Sequence, residues 1–185
     1  MKLLIHVCCA PCLIYPLRQL RSEGFKVEGV FYNPNIHPFL EYKKRKEAVE
    51  AFSKAEGVDI MYPDYNPDEF FQAVTPYPNP LPQGEREKRC SLCWQMRLEK
   101  TAVIAKENGF DCFSTTLLVS PYQNQGILKD TGDKAGKNTG MNFYYEDFRP
   151  GFRQAHQEAR AKGIYCQNYC GCIYSEMERL KNRNQ

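Results

Sequence analysis

The chain has 185 residues, 42% of them hydrophobic and 25% charged, with a formal net charge of +3. That length suits a single domain, residues 1–185, with room for a real core, and the balance is that of an ordinary globule rather than a disordered or fibrous chain. No apolar run approaches the roughly 18 residues of a membrane span and Leu3-Leu4-Ile5 is too short for a signal peptide, so a cytoplasmic location is expected, while the mild positive charge permits an RNA partner without demanding one.

Residues 1–7 read as a short apolar strand running into Cys8-Cys9-Ala10-Pro11-Cys12. A helix over residues 13–23 follows, stopped by Gly24, with Pro16 tolerated in its first turns. Residues 26–32 form a second strand, ended by Asn33-Pro34-Asn35. Residues 39–56 form a helix whose stripe is Ala48, Ala51, Phe52 and Ala55, closed by Gly57, and residues 58–62 a third strand. This alternation predicts a parallel sheet with right-handed crossovers.

An irregular stretch then carries Pro63, Pro67, Pro76, Pro78, Pro80 and Pro82, with a short helix over residues 68–74 and aromatics that suggest a shaped loop. Residues 90–108 read as a strong helix with Trp94, Leu98, Ala102 and Ala105 as its core stripe, and Gly109 as its stop. Residues 110–119 are expected as a fourth strand, residues 123–137 as partly helical because of their three glycines, and Phe143 and Tyr144 as a last short strand. A helix over residues 152–162, a cysteine-rich turn over 165–172 and a terminal helix to about residue 182 complete the chain. No internal repeat and no domain boundary is evident.

Nine cysteines in a reducing compartment suggest metal binding or redox chemistry rather than structural disulfides. Eight fall in three groups: Cys8, Cys9 and Cys12; Cys90 and Cys93; Cys166, Cys170 and Cys172. Cys112 sits alone in a strand-like run and reads as a small buried hydrophobe. Cys90 and Cys93 share a helix face near the helix start, where thiolate is favoured. The same edge of an α/β sheet would carry the Cys8-Cys9 turn, because such sheets bind ligands at the carboxyl ends of their strands. Adjacent cysteines make a poor zinc knuckle, whereas iron–sulfur clusters accept varied spacing, so a [4Fe–4S] cluster is favoured over zinc; four thiols packed as small hydrophobes is the bland alternative. In Cys170-Gly171-Cys172 a disulfide would close only a small, strained ring, and such bonds are easily reduced. The pair reads as redox-active, against a surface turn with two spare thiols. Cys166 stays unassigned.

Other candidates are weaker. His6 reads as a satisfied core histidine, and His37 as a loop residue that either donates protons or does nothing. Lys43-Lys44-Arg45-Lys46 reads as a solvated helix face, and so does Arg86-Glu87-Lys88-Arg89, although it borders Cys90. With Arg149, Arg153 and the tyrosines these could hold an RNA loop by phosphate contacts and base stacking.

Taken together, the motifs resemble a family. They are Cys8-Cys9-Ala10-Pro11-Cys12, the run from Arg89 to Trp94 followed by Met96-Arg97, the run from Ser114 to Pro121, the run from Tyr145 to Pro150, and the run from Tyr165 to Tyr174. The chain resembles the cobalamin-independent epoxyqueuosine reductases over nearly its whole length. The resemblance implies a HUP-like, Rossmann-like three-layer α/β fold with a cysteine-rich C-terminal helical segment. It also implies the last step of queuosine biosynthesis: reduction of epoxyqueuosine to queuosine at the wobble position of a tRNA anticodon, with an unidentified electron donor. By motif, Cys8, Cys9, Cys90 and Cys93 hold the [4Fe–4S] cluster and Cys170 with Cys172 form the redox pair. Cys12 would bind one additional iron or, if it ligates the cluster, leave Cys8 or Cys9 for that iron. The rivals are a zinc-stabilised RNA-binding module and an ATP-dependent tRNA-modifying enzyme of the same fold. The ATP reading needs a glycine-bearing phosphate turn after the first strand, and none is present.

Overall fold

The computed structural model describes residues 1–74 and 86–183. Pro76, Pro78, Pro80 and Pro82 of the expected shaped loop, with Tyr77, lie outside these residues. Five parallel strands form one sheet in the order β3-β2-β1-β4-β5: β1 (Lys2–His6), β2 (Lys26–Val30), β3 (Ile60–Met61), β4 (Cys112–Thr115) and β5 (Asn142–Phe143). The central strand is β1, and Leu3, Leu4, Ile5 and His6 are all fully buried. A strand covered on both faces reads as a continuous apolar run, which is how this one is written.

The crossover helices are α1 (Ala10–Ser22), α2 (Phe39–Glu56), α3 (Pro67–Val74), α4 (Arg86–Glu107), α5 (Gln125–Thr139), α6 (Phe152–Ala161) and α7 (Ile173–Arg183). Helix α1 packs against α2 and α6, while α4 packs against α5, β1 and β4. The sheet is thus flanked by helices, as the resemblance implied. No described helix is long and apolar enough to cross a membrane.

Several boundaries differ from the sequence reading. Helix α1 begins at Ala10, so Cys9 is its extended N-cap and Cys12 lies in its first turn. Pro11 fits there, since its fixed φ suits the helix start. Pro16 therefore sits in the second turn and removes the backbone bond that the Cys12 carbonyl would otherwise receive. Strand β4 stops at Thr115, whose hydroxyl accepts from Leu117 N at 3.1 Å and starts a 3-10 turn over Thr116–Val119. Local side-chain acceptors of this kind divert the backbone from a sheet ladder.

Helix α2 buries Tyr42, Arg45, Val49 and Phe52, not the expected alanine face, and Ala51 and Ala55 are exposed. Helix α5 is regular through the glycines that weakened its reading. A Cβ at Gly132 would stand 2.3 Å from the Phe143 ring, and one at Gly136 would stand 2.5 Å from the Met141 carbonyl. Those two glycines let α5 lie against β5. Trp94, Leu98, Ala102 and Ala105 are buried as expected, as is Cys112. His6 is indeed satisfied, its ring nitrogens bonding Thr115 Oγ1 at 3.0 Å and the Tyr32 carbonyl at 3.1 Å.

Gly151 marks the closest approach of α6 to α1, because a Cβ there would stand 1.9 Å from Cγ of Tyr15. That atom is the root of a ring and cannot swing aside. Gly151→Ala is expected to destabilise the fold by about 1–3 kcal/mol, as overpacking does, read as a lower midpoint in chemical denaturation.

Candidate active site

The sheet order reverses between β1 and β4, and it is there, at the strands' carboxyl ends, that an open α/β sheet binds its ligands. Both strands deliver chemistry to this point. After β1 the chain turns through Cys8 into α1, and after β4 it turns through Thr116. The Cys8 amide donates to Thr116 Oγ1 at 3.0 Å, and that hydroxyl lies 3.2 Å from Cys8 Sγ. The Sγ atoms of Cys8, Cys9 and Cys12 all lie within 4.8 Å of one another, close enough to hold a metal ion. Gln167 Nε2 donates to Cys9 Sγ at 2.9 Å, tying the C-terminal segment to this turn.

The three thiols share charge unequally. Hydrogen bonds from Cys12 and Cys9 hold the Cys8 thiol well below its ordinary value. Burial pushes Cys9 up, and the bond to Cys8 does the same to Cys12. Of the three, Cys8 gives up its proton most readily.

Cys90 and Cys93 lie on one face of α4, but that helix already includes Arg86, so Cys90 is in its second turn rather than at its start. The expected help from the helix end is therefore weak, since that effect fades within the first turn. Burial dominates: it raises Cys90 and takes Cys93 to about 11. Cys170 and Cys172 flank Gly171 with their sulfurs 3.6 Å apart. Cys170 is exposed and Cys172 buried. The Cys172 S–H draws Cys170 down to about 5, and the same bond pushes Cys172 up.

Cys8, Cys12, Cys90, Cys93, Cys170 and Cys172 all line one cavity of about 610 Å³. Cys9 sits behind the wall at 1% exposure. The tight trio thus comprises Cys8, Cys9 and Cys12, while Cys90 and Cys93 meet it across the same cavity. Cys166 is apart, its thiol directed at the Ile164 carbonyl at 3.4 Å.

Arg45, read from sequence as part of a solvated face, is buried to 2% exposure. Its Nε bonds Glu41 Oε1 at 2.7 Å, while Nη1 and Nη2 donate to the carbonyls of Cys170 and Tyr169 at 3.0 Å each. The next carbonyl, of Gly171, accepts from His37 N at 2.8 Å. Three consecutive carbonyls of the Cys170–Cys172 turn are therefore fixed by one segment, residues 37–45. Gly171 is required there, with φ of +113° and a Cβ position only 2.9 Å from Ile36 Cγ1. A signal for Arg45 existed: it occupies the second place in the 42, 45, 49, 52 helical stripe.

His37 is buried against Phe70 and Phe71, with neither ring nitrogen bonded among the described residues. His156, missed in the sequence, lines the cavity with Nε2 unpartnered and its ring 4.3 Å from that of Phe152. Buried Asn35 and half-buried Gln167 line it too, each with an unpartnered side-chain oxygen. These residues sit in segments that read as a turn and as an ordinary helix face, so no pattern marked them. Arg86, Arg153 and Arg160 stand exposed on the cavity wall, with Tyr122.

Comparison with known proteins gives this geometry a context. The epoxyqueuosine reductase QueH from Thermotoga maritima is 38% identical over 178 residues, covering 95% of this chain and 91% of its own. That from Dehalococcoides mccartyi is 36% identical over 184 residues, covering 99% and 97%. Among solved structures, the predicted subunit of a tRNA methyltransferase from Methanocaldococcus jannaschii aligns with a TM-score of 0.54 at 11% identity, over 86% of this chain and 74% of its own, a likeness of fold alone. The sequence model of the family described as epoxyqueuosine reductase QueH matches residues 3–178, and the chain belongs to that family.

Proposed function

We propose that this oxidoreductase converts epoxyqueuosine to queuosine at the wobble position of a tRNA anticodon, using the thiol-lined cavity as its active site. The observation that supports this reading best is the opening of six cysteines, one close dithiol among them, onto a single cavity at the sheet's switch point.

Removing an epoxide oxygen to leave an alkene and water takes two electrons and two protons. The Cys170 and Cys172 pair carries both electrons: with Cys170 as thiolate and Cys172 as thiol, one S–H bond breaks and one S–S bond forms, which supplies two electrons and one proton, and solvent supplies the second proton for the loss of oxygen as water. An external reductant then restores the dithiol. The split between the two sulfurs suits this, since the exposed member is thiolate and the buried one keeps its proton. Arg45 and His37 N hold the turn at the cavity wall, and His156 Nε2 is the wall nitrogen free to bond the departing oxygen.

The donor chemistry fits an iron–sulfur group held by Cys8, Cys9, Cys90 and Cys93: Cys8, Cys90 and Cys93 line the cavity, Cys9 lies behind its wall within 4.8 Å of Cys8 and Cys12, and Cys12 would serve one additional iron. When bound, such a cluster passes electrons singly between the donor and the site. Exposed Arg86, Arg153 and Arg160 suit phosphate contacts, and Tyr122, 78% exposed, suits stacking of an unpaired base, as anticodon-loop recognition requires. The ATP-using alternative is disfavoured because the turn after β1 offers no cradle: Pro11 has no N–H, and that of Cys8 is already bonded to Thr116.

Two outcomes follow. Anaerobically purified protein is expected to hold about four irons and four sulfides per chain, with a fifth iron if the second site is filled. One zinc without sulfide would instead favour the zinc-stabilised RNA-binding module. In the reduced apoprotein, alkylation of Cys170 is expected to be already near its plateau rate at pH 6–7, because its thiol sits at about 5. Cys172→Ala removes the donor to that thiolate, so the alkylation profile should move toward higher pH, while turnover falls by about a hundredfold or more.

A further inference from the structure

Three arginines line the cavity from buried positions, and they differ in one respect. Arg45, at 2% exposure, has Glu41 as its carboxylate. Arg89, at 8%, is bonded to Glu178 at 2.9 Å and stacks over Tyr174. Arg97, at 4%, has no carboxylate within ion-pair distance among the described residues. Its side chain bonds Cys93 within its own helix, Nε donating to the carbonyl at 3.2 Å and the guanidinium also reaching that residue's thiol. The residue lines the thiol cavity.

A guanidinium does not discharge in a protein, and an uncompensated buried charge costs several kcal/mol. Such a cation persists where its counter-charge arrives with a ligand. The charge of Arg97 acts on Cys90, Cys93, Cys170 and Tyr32, with the His6 imidazole also in range. At Cys90 and Cys93, where burial disfavours the thiolate, the Arg97 charge works in the opposite direction. Position 97 was also one of the marks by which the sequence resembled its family, and no role in the proposed chemistry has used it.

We propose that Arg97 is the fixed counter-cation of the thiol site, balancing the negative charge that a thiolate-ligated iron–sulfur group brings into the cavity. The proposal rests on the cluster reading above. Its electrostatic consequence has a definite sign. Reduction adds one negative charge to an already anionic group, and a fixed cation nearby favours the reduced form, raising the potential.

The test compares Arg97→Gln, Arg97→Met and Arg97→Lys with the wild type, all purified anaerobically. Iron and sulfide content, far-UV circular dichroism and a mediated redox titration of the visible spectrum are measured. Arg97→Met replaces the cation with an apolar chain that needs no buried partner. Both neutral variants are expected to titrate at more negative potential. At the wild-type midpoint, their ratio of reduced to oxidised cluster should be about tenfold lower, while Arg97→Lys stays near the wild type. Loss of iron from both neutral variants, with iron kept by Arg97→Lys and dichroism unchanged, supports the same role. Wild-type protein without iron and sulfide would remove the cluster reading and this proposal with it. Cluster-bearing neutral variants with an unshifted potential would overturn the counter-cation role alone. So would an equal shift in Arg97→Lys, or unfolding of both neutral variants.

Discussion

The site depends first on the guanidinium of Arg45. The segment that carries Cys170 and Cys172 is not part of the sheet, and its turn contributes no strand to any ladder. Its place is set instead by side-chain and backbone donors from residues 37–45, with Arg45 gripping two successive carbonyls and Glu41 holding Arg45. Tyr165 extends the same network by donating to the other Glu41 oxygen at 2.6 Å. A planar fork suits this task in a way an ammonium does not, because its donors are fixed relative to one another. Since Arg45 and Glu41 are both buried, loss of either leaves the other charge stranded, so the Cys170–Cys172 turn and the buried pair stand or fall together.

A second constraint is the division of charge among the thiols. Burial alone would keep every buried cysteine protonated, which is the tendency at Cys9, Cys90 and Cys93. Cys8 and Cys170 escape it because a neighbouring S–H points at each. Environments that drive like groups apart in this way assign them different tasks. In the N-terminal trio, the thiol held lowest lies beside two held high, and a metal bound there would displace the protons of all that ligate it. In the C-terminal pair, the arrangement presents one nucleophilic sulfur beside one proton-bearing partner. The first suits ligation, the second a two-electron exchange.

Much of this was legible in the sequence, and the reasons differ by element. The alternation of apolar runs with helical stripes and glycine stops specified the parallel sheet, because buried strands and capped helices leave strong local marks. The cysteine groups pointed to the switch point, where the structure gathers Cys8, Cys9 and Cys12 and opens Cys90, Cys93, Cys170 and Cys172 onto one cavity, although Cys9 and Cys12 also pack in the core. What escaped were side chains whose role depends on long-range contacts. Arg45 looked solvated because its neighbours Lys43 and Lys44 are, and only the registration of its position with Tyr42, Val49 and Phe52 betrayed it. The alanines of α2 misled for the complementary reason: a small side chain tolerates either face. The early end of β4 was hidden because Thr115 and Thr116 are good strand residues whose hydroxyls found local and cross-strand partners instead.

The same switch point that could cradle a phosphate has here been given over to sulfur, and the backbone shows how. A phosphate turn needs several free N–H groups converging at a helix start, usually with glycine to let them approach. In this chain Pro11 supplies no donor, the Cys8 amide is committed to Thr116, and Cys9 occupies the N-cap with no side-chain cap of its own. The first two remove anion contacts, while the cysteines of the same turn bring thiols to its place. The likeness to the predicted subunit of a tRNA methyltransferase is one of fold alone. Arg97 completes the reversal. Where a phosphate site brings neutral dipoles to an anion that arrives from solvent, this cavity pairs a permanent cation with anions that the chain's own cysteines help to create.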